Sequence, residues 1–85
     1  MSRKALNELR RGSEFVARAE HDPLRPVIVR NGGSHVKITT GRGMVVVPVH
    51  PGDLHHGLLC AIRKQWLQIG LTALGLAAVI AGVVL

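Results

Sequence analysis

The sequence predicts an α+β fold: a helix, a three-stranded antiparallel meander and a second helix, followed by a transmembrane helix. Three observations predict it. Val36, Ile38 and Thr40 alternate with His35, Lys37 and Thr39, the period-two signature of a half-buried strand. Asn31-Gly32-Gly33 and Gly41-Arg42-Gly43 place turn residues at either end of that strand. Leu54, Leu58, Leu59, Ile62 and Trp66 recur at intervals of three and four, as on one face of a helix. The expected division is a domain over 1–65, able to stand alone, and a membrane segment over 66–85.

Ser2 is placed to cap a helix starting at Arg3, and Ala5, Leu6 and Leu9 share a face at helical spacing. Gly12 either ends that helix, with Ser13 and Glu14 restarting it, or lies inside a longer one that continues through Phe15, Val16 and Ala19. An interior glycine costs only about 1 kcal/mol, so the expectation is one helix, kinked at Gly12, to Glu20. Arg10, Arg11 and Arg18 then form its solvent face. His21-Asp22-Pro23 ends it.

Pro26–Arg30 reads as a short first strand, with proline at the position where its missing N–H does least harm. The strand from His35 follows, with Val36, Ile38 and Thr40 facing the core. Met44–Val49 resumes as a third strand rich in β-branched residues, and Pro48 points to an edge or a bulge. His50-Pro51-Gly52-Asp53 closes the sheet. The second helix is expected to start at Gly57 rather than Leu54.

Trp66–Leu85 carries no charge, and only Gln68 and Thr72 are polar. As a helix, twenty such residues reach about 30 Å, the thickness of a bilayer's hydrocarbon layer. Arg63 and Lys64 precede the run, so the positive-inside rule predicts a single-pass protein of the cell membrane with its N-terminal domain cytoplasmic. Trp66 is expected at headgroup level. Ala73, Ala77 and Ala81 lie four apart, a spacing that favours helix association in lipid, as a homodimer or within a membrane complex.

All eleven Lys and Arg residues and all five acids precede Gln65, so the first sixty-four residues carry the whole net charge of +6. Such a balance points to polyanions, either nucleic acid or anionic headgroups. One cysteine, Cys60, excludes an internal disulfide framework. The first eleven residues are too charged for a secretory signal. His50, His56 and Cys60 have nitrogen and sulfur donors suited to zinc, but no paired motif accompanies them and no metal or cofactor is expected. Cys60 reads as a small apolar residue on the helix.

His35 follows a glycine turn on the wet face of the sheet, where a side chain meets ligands. Cleavage of RNA by its own 2′-hydroxyl needs a group that accepts a proton near neutral pH, and imidazole is such a group. Arg30, Lys37 and Arg42 lie on or beside the same strands, as phosphate-binding residues do.

Gly33-Ser34-His35, Gly41-Arg42-Gly43, Val45-Val46-Val47-Pro48-Val49-His50 and Gly57-Leu58-Leu59 leading to Ile62-Arg63-Lys64-Gln65 together resemble the HicA-type mRNA interferase toxins over about Val27 to Gly70. The resemblance implies a double-stranded-RNA-binding-domain-like fold, catalysis by His35, Ser34 among the RNA-binding residues, RNA as substrate and an antitoxin protein as partner. Leu58 stands where the family has threonine, and a membrane span is foreign to the family. The alternative function is a non-enzymatic module that binds nucleic acid or protein, anchored as an accessory subunit of a membrane complex.

Overall fold

The computed structural model describes residues 5–30 and 32–72. A 3-10 turn over Leu6–Glu8 leads into α1, Gly12–Glu20. Three strands follow, β1 (Val27–Arg30), β2 (His35–Thr40) and β3 (Gly43–Pro48), then α2, His56–Gln68. The strands form one antiparallel sheet in the order β1-β2-β3, as the turn glycines predict.

The single kinked helix expected from Arg3 is not formed over the described residues. Leu9 is extended, and α1 begins only at Gly12. The physical reason lies in the carbonyls. The Arg63 Nη2 donates to the carbonyls of Asn7 (3.0 Å) and Leu9 (3.4 Å), and the Leu54 N–H donates to that of Arg10 at 2.7 Å. A continuous helix would spend those acceptors on its own N–H groups four residues on. The break lets Leu6 and Leu9 reach the core separately. Glu14 Oε1 accepts from the backbone N–H groups of Arg10 and Arg11 and so secures the start of α1. Gly12 packs directly against the end of β3: a Cβ there would collide with the carbonyl oxygen of Pro48. The expected solvent face of this helix is incomplete as well, since Arg18 is only 8% exposed.

Lys37 pairs with Val29 of β1 and Val46 of β3. This register turns Val36, Ile38, Val45 and Val47 toward the helices, where all four are buried. Both helices cover that one face. Phe15 and Val16 of α1 meet Leu59, Ile62 and Trp66 of α2 in the same core. The rings of Phe15 and Trp66 meet edge to face, with centroids 5.6 Å apart.

Trp66 is 0% exposed, which corrects its expected place at a membrane surface. Its indole Nε1–H donates to the Thr72 carbonyl at 2.9 Å. Ile69 and Leu71 are buried beside it, so the packed domain runs past the expected boundary at 65. Nor does α2 run on as one long apolar helix from Trp66. Gly70, at φ +91, takes the left-handed conformation that ends helices, and the N–H groups of Gly70 and Leu71 return to the carbonyls of Leu67 and Trp66. Asp22 fastens the exit: its Oδ2 accepts from both the N–H (2.8 Å) and the hydroxyl (2.7 Å) of Thr72. Among the described residues no helix is long and apolar enough to cross a membrane. The small residues Ala73, Ala77 and Ala81, like Ser2, Arg3 and Asn31, lie outside the described residues.

Candidate nucleic-acid interface

The face of the sheet away from the helices carries His35, Lys37 and Thr39 along its middle strand. Val27 and Val29 flank them on β1, with Met44 and Val46 on β3; these four apolar side chains are exposed, Val27 by 62%. The period-two alternation dictates this arrangement once the hairpin register is set.

His35 opens β2 opposite Pro48, and the Val49 N–H donates to the carbonyl of Ser34, which pins the turn before the histidine. Gly32, at φ +71, supplies the left-handed residue of that turn. The imidazole is exposed. Its Nδ1 lies 3.5 Å from the Ser34 hydroxyl, and among the described residues no protein group bonds Nε2. A shallow cavity of about 240 Å³ adjoins the ring, lined by Gly33, His35, Lys37 and Val46.

Ser34, His35 and Lys37 are therefore brought together, and two other expected residues are not. Arg30 pairs with Val36 and so lies on the helix side of the sheet, where its Nη2 bonds Glu20 Oε2 of α1 at 3.0 Å. One residue of register decides this. Arg42 occupies the β2–β3 turn, at the far end of β2 from His35; its backbone N–H donates to the Thr40 hydroxyl. Its side chain lies beside Gly70. Gly33 and Val46 complete the site; sequence reasoning placed them in motifs but not among the site residues. The signal for Val46 was present, because alternation within Val45-Val46-Val47 must place one valine outward.

The remaining histidines have separate tasks. His55 caps α2, its Nδ1 accepting the Leu58 N–H at 3.2 Å. His56 Nε2 lies 3.5 Å from Cys60 Sγ on the exposed side of α2, and His50 Nδ1 lies 3.2 Å from the Pro51 carbonyl oxygen. Among the described residues no three His, Cys, Asp or Glu side chains gather to hold a metal ion.

No family model matches the sequence, and neither a curated protein nor a solved structure matches it.

Proposed function

We propose that this domain binds RNA on the open face of its sheet and cleaves it with His35 as general base, as the resemblance to HicA-type mRNA interferases implies, and that residues 73–85 attach it to a membrane. The observation that carries the reading is the setting of His35: an exposed imidazole whose Nε2 meets no protein group among the described residues, beside a cavity shared with Lys37. Lys37 supplies a positive charge for a phosphate.

In the proposed step His35 takes the proton of a 2′-hydroxyl while that oxygen attacks the adjacent phosphorus. The O2′–P bond forms and the P–O5′ bond breaks. The leaving 5′-oxygen takes a proton from water, and the hydroxide so formed takes the proton back from His35, giving a 2′,3′-cyclic phosphate, a 5′-hydroxyl end and the neutral base. A lone imidazole without a second acid favours slow turnover, since general acid–base assistance contributes about 10²–10⁴ in rate per positioned group.

The exposed valines and Met44 favour a second reading, in which the same face docks a protein partner without chemistry. An RNase assay on the full chain separates the two. The enzyme reading expects cleavage by the parent and cleavage slowed by about 10²–10⁴ in His35→Ala. Equal cleavage by both, or binding without cleavage by the parent, removes it.

A further inference from the structure

We infer that the end of the domain opposite His35 is a lipid-facing surface, where Leu24, Val27, Met44 and Leu67 enter an anionic bilayer and Arg25 and Arg42 meet its phosphates. This rests on the membrane attachment proposed above and adds the orientation of the packed domain.

The exposed apolar side chains among the described residues are unevenly placed. Val27 and Met44 both pair with Thr39, next to the β2–β3 turn that Arg42 occupies. Leu24 and Arg42 converge on Gly70, where a Cβ would lie 3.6 Å from Leu24 Cδ2 and 3.5 Å from Arg42 Nη1. Leu67, whose carbonyl accepts the Gly70 N–H, lies just before it at the end of α2. These four side chains are 47–62% exposed, against 39% and 41% for Val29 and Val46 nearer His35. Large apolar groups gathered in this way mark a surface that is covered in use.

Charge and chain continuity identify the cover. Arg25 and Arg42 are exposed beside the apolar groups. The acid of the same turn, Asp22, is only 5% exposed and is held by the N–H and hydroxyl of Thr72. Glu20 and Asp53 pair with Arg30 and Arg11, and Glu8 and Glu14 accept backbone N–H groups ahead of α1. Apolar groups rimmed by cations match an anionic headgroup layer over hydrocarbon. Thr72 is fastened to this surface, and residues 73–85, which follow it, carry no polar or charged side chain. Arg25 has a left-handed backbone, at φ 53. Glycine takes that conformation without strain, so what arginine adds there is its charged side chain.

The orientation turns the His35 end away from the headgroups. From His35 to Thr40 β2 spans about 17 Å, at about 3.3 Å per residue. That is twice the Debye length of about 8 Å at physiological salt, so lipid phosphates do not repel a polyanion from the cavity beside His35.

Two measurements on the full chain test this. Binding to vesicles of phosphatidylcholine, with and without phosphatidylserine, is measured by flotation for the parent, Arg25→Gln, Arg42→Gln and, as a control at the opposite end, Arg11→Gln. One basic residue at an anionic surface contributes about fivefold in affinity. Arg25→Gln and Arg42→Gln are therefore each expected to lose about fivefold on the anionic vesicles and nothing on the neutral ones, at unchanged thermal midpoints. Arg11→Gln loses less than about twofold on either. In the second measurement an environment-sensitive fluorophore is attached at Leu24→Cys or at Asp53→Cys, each combined with Cys60→Ser. Anionic vesicles are expected to brighten it several-fold at position 24 and to leave it unchanged at 53. Equal losses in Arg11→Gln and Arg42→Gln, or equal fluorescence responses at the two positions, overturn the inference while leaving membrane attachment in place. So does a parent that floats with no response at 24, which leaves this surface to a protein partner. A parent that floats with neither vesicle overturns the attachment and this inference with it.

Discussion

His35 and Gly12 show two opposite demands on single residues. His35 is exposed and makes no contact on which the fold depends, so its replacement tests chemistry alone. His35→Ala is expected to lower RNA cleavage by about 10²–10⁴ while the affinity for RNA changes by less than about twofold, because phosphate contacts dominate binding. Single-turnover rates beside anisotropy titrations check both halves. Lys37→Gln should do the reverse, weakening binding and reducing its salt slope by about one phosphate contact. Gly12 has no room at all: a side chain would fall on the Pro48 carbonyl. Gly12→Ala must push α1 off the end of β3 and is expected to cost about 1–3 kcal/mol, the usual range for overpacking, read as a lower urea midpoint. From the sequence Gly12 looked like a tolerated helix interior. What it touches lies thirty-six residues further on, and no local pattern reports such a contact.

The strands were legible and the ends of the helices were not. Alternation at 35–40 determines which side chains face the core, and the turn glycines set the β2–β3 hairpin, so β2 and β3 follow from local rules. The same alternation shows why Arg30 fails as a partner for His35. It pairs with Val36 and must share that residue's inward face, and the ion pair with Glu20 follows. The start of α1 was obscured because Arg63 and Leu54 take carbonyls that periodicity assigns to a helix. The end of α2 was legible in principle. Gly70 follows the last residue of the Leu59, Ile62, Trp66 stripe at the distance of a helix stop, but the uncharged residues after it mask the signal with membrane-like composition. Gly70→Ala has space, since its nearest neighbours would lie 3.5 Å away, so the cost is conformational. Circular dichroism melting should show a loss of about 1–2 kcal/mol, the penalty of a left-handed alanine.

At the scale of the whole molecule the core determines how short the chain can be cut. A fragment ending at Gln65 loses Trp66, Ile69 and Leu71, each 3% exposed or less. Burial of side chains of this size stabilises by about 1.5–3 kcal/mol apiece, a sum comparable to the roughly 5–15 kcal/mol by which whole domains are stable. Circular dichroism is expected to show residues 1–65 unfolded and residues 1–72 folded. The clasp formed by Asp22, Thr72 and the Trp66 indole also sets how the chain can meet a bilayer. A membrane span taken from 66–85 would draw Leu71, Ile69 and Trp66 out from under the sheet. If the sheet binds RNA as proposed, lipid and RNA would then be antagonists, because the packed sheet requires the residues that such a span requires. Such coupling is reciprocal, so whatever factor vesicles impose on RNA affinity, RNA must impose on vesicle affinity. Asp22→Ala, which unfastens Thr72, should shift the balance toward lipid, seen as a larger carbonate-resistant membrane fraction and a weaker RNA affinity in the same preparation.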